Sequence, residues 1–575
     1  MGADMLNIDV VIFSLFLLVN LVVGLFHSRG VKNINQYALG DRNFSTATLT
    51  STIVASWLGA EFFTACTAET YRQGLYFIIP SVGDCFAILF IGCICAHRMG
   101  EFLGKLSIAE AMGGLFGVRV RFITVIFSII LSVGYLAIQF QITAKILESV
   151  FNTSGIYATL ISAGVIITYS AFGGIKSVTF TDVIQFFAFT CIIPVIAMLI
   201  FDVVSEHRDS FTQVSTNPVF DYRVVLDVYN PRFYEMLSLG ILFILPGFSP
   251  MTFQRISMAK NTSQIERSFK VSAFVGLCLL PIVWAIGVFI LSDNPNLNPD
   301  DLLGYIVNRY TYVGFKGLFA VGIMAMIMST ADSLINSVSI IFAHDLCRPL
   351  GFQWTKNEVA ISKIFAFFVG ASALILALKF NRILDVILLS AGAYTSVVSI
   401  PFLFAVLGFR SSEKSVLTAM LGGIIAFVVF EQKIFDAAAI FGFNIVSAAP
   451  GILVNAIVLF SVHYLFAQPG GWVGIKDLDS FKQHLDKKKQ QRSEFWNQVF
   501  RFNFLKFCAN TPKADNMYHC VGLLSIISIL ISMFSITKTV ENSGALFFIF
   551  RSSLLFSTYF LICPILPKWL RHKLF

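Results

Sequence analysis

Hydroxyl and carboxyl side chains interrupt one long apolar segment, residues 314–345. Ser329, Thr330 and Asp332 stand there within four positions, after the apolar run Gly322-Ile-Met-Ala-Met-Ile-Met328. Hydrocarbon offers no hydrogen bonds, so such groups must face protein, water or an ion. Hydroxyl and carbonyl oxygens are the hard ligands that small cations accept. We interpret this segment as half of a cation site in a transporter.

A second apolar segment, residues 45–71, carries the same kinds of side chain around Gly59 and Glu61. Glycine in the middle of a span is a point where a helix can unwind and release carbonyl groups. A carboxylate at the bilayer centre costs about 2.5–3.5 kcal/mol on insertion scales, so we expect Glu61 to face a cavity. The alternative is that the small residues only permit close helix packing.

A third pattern joins two spans through Gly173, Gly174 and Lys176. We expect Thr181 to cap the second helix and Asp182 to favour its positive end. A capped cytoplasmic turn would explain these charges, but it would not explain the full pattern of residues 169–185.

The composition requires a membrane in which these segments lie. Of the 575 residues, 56% are hydrophobic and 13% are charged, whereas soluble domains have about one quarter charged residues. Apolar runs near the spanning length of about 20 residues recur, without the alternation of a barrel. The net charge of +8 comes from Lys and Arg between the spans, so no nucleic acid is expected as a partner. The ten cysteines show neither metal-binding spacing nor a disulfide framework.

The apolar runs predict fifteen spans, which lie near residues 9–27, 45–71, 75–97, 120–148, 155–173, 178–202, 234–254, 268–292, 314–345, 357–380, 383–409, 415–431, 449–467, 517–537 and 545–566. Basic residues concentrate in alternate connections, which places the N-terminus outside and the segment after residue 467 in the cytoplasm. We therefore expect an integral protein of the plasma (inner) membrane.

Three motifs in this order resemble those of the sodium/solute symporter family, which includes sodium/proline, sodium/glucose and choline transporters. The matching positions are Gly173, Gly174, Thr181, Asp182 and Gln185, then Gln254 and Arg255, then Met328-Ser-Thr-Ala-Asp332-Ser. The resemblance covers residues 8–467 in thirteen spans. It implies a transporter rather than an enzyme, with Na⁺ as the coupling ion.

The resemblance also implies the architecture and the ion ligands. The fold would be all-α and polytopic, with a LeuT-like core of two inverted five-helix repeats, near 45–202 and 234–410, and midplane sites on broken helices. Carried over by position, the sodium ligands would be Ala55, Leu58, Met326, Ser329 and Thr330, the first three through their carbonyls. Asp332 would be bonded within the protein. A basic cytoplasmic linker with an interfacial helix, 468–515, and a transmembrane hairpin, 516–575, would follow.

The sequence defines the transported solute, here called the cargo, less well than the coupling ion. Trp57 resembles a pocket tryptophan of the choline-transporter branch and could hold a quaternary ammonium, although simple packing is an equal alternative. Together, Glu61 and Asp84 would favour a cationic or zwitterionic nitrogen compound. Further cavity-facing candidates are Gln139, Gln141, Tyr394 and Thr395. We expect sodium-coupled symport of a small organic solute, such as an amino acid or a choline- or betaine-like compound, by alternating access. The alternative is a solute-sensing module derived from a symporter and coupled to a signalling partner.

Overall fold

The computed structural model describes residues 8–27, 33–151, 155–206, 214, 216–350, 357–379, 383–474, 486, 489 and 490. In this part of the chain, ten helices are long and apolar enough to cross a membrane. The protein is therefore an integral, multi-pass membrane protein. The expected hairpin, 516–575, falls outside the described residues, as does most of the segment 468–515 in which an interfacial helix was expected.

The helices follow the predicted spans closely. The first part of the chain forms α1 (Ile8–His27), α2 (Ile34–Leu39), α3 (Thr46–Trp57), α4 (Ala60–Gln73), α5 (Leu75–Phe90), α6 (Ile108–Phe116), α7 (Val118–Phe151) and α8 (Gly155–Ser205). Helical turns extend α5 to Arg98. The prediction of an all-α fold is confirmed.

The second part of the chain is also mostly helical. It contains α9 (Tyr222–Val225), α10 (Pro231–Ile244), α11 (Pro250–Ser257), α12 (Thr262–Asp293), α13 (Leu302–Tyr310), α14 (Phe315–Ile340), α15 (Glu358–Ala377), α16 (Ile383–Tyr394) and α17 (Ile400–Leu407). Then come β1 (Phe409–Arg410), α18 (Glu413–Glu431), α19 (Ala437–Phe441), α20 (Ala448–Leu465) and β2 (Gly471–Trp472). The two short strands pair antiparallel, with Phe409 opposite Trp472.

Each predicted half begins with a helix in two pieces. In the first half, α3 ends before Leu58, and α4 starts after Gly59, whose backbone is extended. In the second, the chain leaves α10 in extended conformation at Leu245 and re-enters a helix after Ser249, which caps α11 by accepting a hydrogen bond from the amide of Thr252. Pro250, at the first position of α11, needs no amide partner there. Both breaks leave backbone groups available inside the bundle.

The turn expected near residues 174–178 is a single-residue kink. The helix α8 runs through this region, and only Gly174 has non-helical angles, with φ 64°. The ring of Tyr37 lies against Gly174 and leaves no room for a side chain. Thr181 is therefore inside the helix, where its hydroxyl donates to the carbonyls of Ser177 and Val178. The prediction that Thr181 caps a helix is wrong, because a left-handed glycine redirects the chain without a separate loop.

The polar segment of α14 lies at the centre of the bundle. Every residue from Phe319 to Ile340 is buried, including Ser329, Thr330 and Asp332. The helix packs against α3, α4, α7 and α8, so its hydroxyl groups face protein on all sides. By contrast, α1 has several exposed apolar side chains and lies at the periphery.

Candidate functional site

The hydroxyls of α14 face the break between α3 and α4. Ser329 Oγ lies 2.6 Å from the carbonyl oxygen of Ala55 and 3.0 Å from that of Met326. Thr330 Oγ1 is fully buried and has no hydrogen-bond partner among the described residues. It lies within 3.0 Å of the point where a Cβ on Gly59 would stand. A buried hydroxyl normally finds a partner, so this orphaned oxygen calls for a ligand.

Hydrogen bonds thus join Ala55, Met326 and Ser329, while Thr330 lies beside Gly59, the residue that follows Leu58. Ala55 is on the last turn of α3, and Leu58 lies in the break with φ −88° and ψ 67°. The set offers carbonyl and hydroxyl oxygens and no nitrogen or sulfur, which is the donor chemistry of a hard cation. These residues fit a sodium ion.

Glu61 begins the second half of the broken helix and lies next to this oxygen cluster. Its Oε2 accepts a hydrogen bond from the amide of Gln139 on α7, at 2.5 Å. Like Thr330 Oγ1, this carboxylate oxygen lies within 3.0 Å of the would-be Cβ of Gly59. Glycine is required here because any side chain would displace one of these oxygens.

A cavity of about 210 Å³ opens on the other side of Glu61. Four of the predicted cargo residues, namely Trp57, Glu61, Asp84 and Tyr394, line it, and so does Thr395. The indole of Trp57 also packs tightly on Gly276 of α12. The packing interpretation of Trp57 is therefore seen in the structure, and the binding of a quaternary ammonium by this cavity-lining residue stays a prediction.

Two predicted cavity residues lie elsewhere. Gln139 is fully buried behind Glu61 and does not line the cavity wall. Gln141 donates its amide to the carbonyl of Ala377 on α15, 3.0 Å away. Residues two positions apart on a helix point to different faces, so both could not face one cavity. The prediction of direct cavity contact is wrong for both.

The second break supplies cavity residues that the sequence analysis missed. Leu245, Gly247, Phe248 and Ser249 form part of the cavity wall, in a region that the sequence predicted to be one continuous span, 234–254. Phe248 has φ 41°, a strained angle for a bulky residue. The hydroxyl of Tyr394 donates to the carbonyl of Phe248 at 2.9 Å, and Ser399 donates to that of Gly247 at 2.6 Å. The pair Ser249-Pro250, a capping residue before proline, was the available signal.

The other wall residues are predominantly aromatic or aliphatic. Among the described residues that line the cavity there is no lysine, arginine or histidine, whereas Glu61 and Asp84 are carboxylates. Lining residues absent from the prediction are Phe62, Phe77, Ser81, Tyr135, Phe243, Phe248, Ser249 and Thr252. Aromatic faces and carboxylates together are the chemistry that recognises organic cations.

The three sequence motifs meet in a buried network beneath the oxygen cluster. Arg255 Nη2 lies 3.2 Å from Asp182 Oδ2 and 2.5 Å from the hydroxyl of Ser333. Thr52 of α3 donates to the same carboxylate oxygen of Asp182. Gln254 donates to the carbonyl of Ala38 and to Asn336, both at 2.9 Å. The network therefore joins α3, α8, α11 and α14.

The remaining motif residues make contacts outside this network. Asp332 accepts a hydrogen bond from Ser170 on α8, while Gln185 donates to Asn20 on α1 at 3.1 Å. Gly173 is helical and directly precedes the kink at Gly174. These contacts hold α8 against α1 and α14.

A helical bundle with two broken helices, one of which faces a buried oxygen cluster on a third helix, has the architecture of LeuT-like secondary transporters. The model of the Sodium:solute symporter family matches residues 37–423. The chain belongs to this family, whose members are transporters and not enzymes, and Na⁺ is the family's coupling ion.

Individual relatives are distant. The Sodium/glucose cotransporter of Vibrio parahaemolyticus is 22% identical over 379 residues, covering 59% of this chain and 69% of the relative. The High-affinity choline transporter 1 of Drosophila melanogaster is 24% identical over 403 residues. That match spans 66% of this chain and 64% of the relative, just under two thirds of the relative's length.

A solved structure shares the fold. The substrate-bound, outward-open structure of a Na⁺-coupled sialic acid symporter has a TM-score of 0.66 and 19% sequence identity. The matched region covers 80% of this chain and 98% of the chain in the solved structure. At this identity the likeness concerns the fold and not the cargo.

Proposed function

We propose that this protein couples sodium entry to the uptake of a small organic cation containing nitrogen, by alternating access. The observation that carries the proposal is the cavity with two carboxylates and an aromatic wall, adjoining the oxygen cluster of Ser329 and Thr330. Sodium at Ala55, Leu58, Met326, Ser329 and Thr330 would hold α14 against the broken helix. Ion binding would then favour the state that accepts cargo.

The charged side chains of the cavity wall favour a cation as the cargo, within the broader class of nitrogenous solutes. Asp84 is partly exposed, whereas Glu61 is buried and held by Gln139. Asp84 is therefore the carboxylate best placed to receive a cationic nitrogen, and the face of Trp57 would add about 0.5–2 kcal/mol. An amino acid or betaine brings a carboxylate, for which the lining offers hydroxyls but no basic side chain. A choline-like compound or another amine fits these side chains better.

The positions of the contacts support an outward-facing state. The Arg255–Asp182 network lies on the proposed cytoplasmic side, where Arg42 also donates to the carbonyl of Ala259 at 2.7 Å. On the opposite side, Leu384 lines the main cavity and two smaller ones. We propose that this side is extracytoplasmic, with the N-terminus outside, the segment after residue 467 in the cytoplasm, and the plasma (inner) membrane as the location.

We further propose that residues 8–467 form the symporter domain, with repeats at about 45–202 and 234–410. Each repeat would start with one of the two broken helices, whose breaks lie at residues 58–59 and 245–249. The roles of 468–515 as a basic cytoplasmic linker and of 516–575 as a transmembrane hairpin stay predictions.

Uptake into proteoliposomes tests the proposal. Labelled choline, betaine, proline, histidine and simple amines would be offered with an inward sodium gradient, and with potassium replacing sodium as the control. We expect sodium-dependent accumulation of a cation, and its loss in Asp84→Asn. A cationic cargo carried with one sodium moves two charges, so current and uptake measured together should give a ratio near two; a zwitterion would give one.

Three outcomes would contradict parts of the proposal. Accumulation without a sodium gradient would refute sodium coupling. Preference for zwitterions or anions would refute the cargo class. Sodium-dependent binding of cargo without accumulation would favour the alternative function, a solute sensor that acts through a signalling partner.

A further inference from the structure

Glu61 lies between the two halves of the site. It lines the cargo cavity, and its Oε2 flanks the same point beside Gly59 as the hydroxyl oxygen of Thr330. Two atoms that are each within 3.0 Å of a common point are at most twice that distance apart. The two oxygens nevertheless share no hydrogen bond, because Thr330 Oγ1 has no partner among the described residues. Both oxygens therefore border the same small space beside Gly59.

The amide of Gln139 fixes this orientation. Its nitrogen donates to Glu61 Oε2, the oxygen that flanks Gly59, at 2.5 Å. Gln139 is fully buried, and its own Oε1 has no hydrogen-bond partner in the described part of the chain. The amide therefore serves to hold the carboxylate, and it does not neutralise its charge.

The charge of a sodium ion at this position needs a counter-charge. The five predicted ligands are neutral oxygens, and a cation buried among neutral groups carries a large desolvation cost. Asp182 is already paired with Arg255, and Asp332 is bonded to Ser170. Among the described residues, Glu61 is the carboxylate for which an oxygen lies beside the same point as Thr330 Oγ1.

We propose that Glu61 is a charged partner of the coupling ion, contacting it through Oε2 together with Thr330. The inference rests on the proposed sodium coupling and adds a residue to it. The same carboxylate lines the cargo cavity. Sodium on Glu61 would leave Asp84 as the carboxylate that receives the cargo cation, so occupancy of the ion site would set the charge that the cargo meets.

Direct sodium binding tests the assignment without transport. Sodium affinity of the purified full-length protein would be measured by titration calorimetry, with NaCl replacing KCl at constant ionic strength. We expect Glu61→Gln to weaken sodium binding by about tenfold or more, because the substitution keeps the shape and removes the charge. Asp84→Asn is the matched control: it removes a carboxylate from the same cavity away from Thr330, and its sodium affinity should stay within about twofold of the wild type.

A double-mutant cycle distinguishes a shared ion from a general effect. Effects of Glu61→Gln and Thr330→Ala on sodium affinity should be non-additive, whereas those of Asp84→Asn and Thr330→Ala should add. Glu61→Asp, which keeps the charge but shortens the side chain, serves if Glu61→Gln does not fold, and it should also weaken binding.

The outcomes separate this inference from the function it rests on. Wild-type protein that binds no sodium would overturn the proposed coupling itself. Sodium binding by the wild type that is unchanged in both Glu61 variants would overturn only the role of Glu61. Equal losses in Glu61→Gln and Asp84→Asn would also overturn it, because they would indicate a general electrostatic effect of the cavity.

Discussion

The buried pair of Asp182 and Arg255 offers the most demanding test of the structure. Neither side chain is more than 1% exposed, and the charged atoms are 3.2 Å apart. Replacing Asp182 by Asn would leave the guanidinium buried beside Ser333 without a counter-charge. Breaking such a pair from one side costs about 3–5 kcal/mol. We expect Asp182→Asn and Arg255→Met each to destabilise the protein by this amount.

The double variant separates the pair from its parts. With both charges removed, neither is left unpaired, so Asp182→Asn/Arg255→Met should cost less than either single change. The assay is a denaturant titration of the purified protein in detergent, followed by helical circular dichroism. Asp41→Asn is the matched control, because Asp41 also pairs with a basic residue, Lys176, but both side chains are more than one third exposed.

Two results would refute this reasoning. Single variants that each cost less than about 1 kcal/mol, as exposed pairs do, would show that the pair is not desolvated. A double variant whose cost equals the sum of the singles would show that the two side chains do not interact. Either result would also show that the contact between Asp182 and Arg255 does not stabilise the packing of α3 and α8 against α11.

Two further predictions concern the ion site and the surface. The double variant Ser329→Ala/Thr330→Ala should raise the sodium concentration for half-maximal uptake by about tenfold or more. The control is Ser337→Ala, which removes a hydroxyl on the same helix that donates to the carbonyl of Leu334 and should leave this concentration unchanged. An unaltered sodium dependence in the double variant would refute the assignment of Ser329 and Thr330 as ligands. At the surface, the hydrogen bond from Lys176 lowers the pKa of Asp41. This contribution to stability is present above the ordinary pKa of aspartate and is lost as the pH falls through the lowered value. Denaturant titrations should therefore show a difference between wild type and Asp41→Asn of under about 1 kcal/mol at neutral pH, and that difference should vanish in acid; a difference that persists in acid would contradict the pairing.

The sequence predicted the helices well because each span carries its own signal. A run of about 20 apolar residues between basic or Pro/Gly-rich breaks needs no knowledge of the partner helices. The buried oxygen cluster was predictable for the same reason: Ser329 and Thr330 are adjacent in the chain, and their polarity conflicts with their surroundings. The conflict is visible locally, so a local pattern finds it.

The features that the sequence did not predict depend on contacts between distant segments. The second break relies on Tyr394 and Ser399, which bind the carbonyls of Phe248 and Gly247 from about 150 positions away. Thr181 looked like a cap because Gly173-Gly174 looked like a loop, although the kink is confined to Gly174. Gln139 and Gln141 were both polar and both on α7, and only packing decides which groups they meet.

The two halves of the proposed site, one for the ion and one for the cargo, differ in how strongly local sequence determines them. The ion half consists of backbone carbonyls and two adjacent hydroxyls, so it needs one helix break and one helix face. The cargo half takes Trp57, Asp84, Phe248 and Tyr394 from four separate elements, so a single substitution in any of them can change the cargo and leave the ion site intact. Glu61 is the exception, because it borders both halves. A change of cargo that preserved sodium coupling would therefore be expected to alter the walls of the cavity before it altered Glu61.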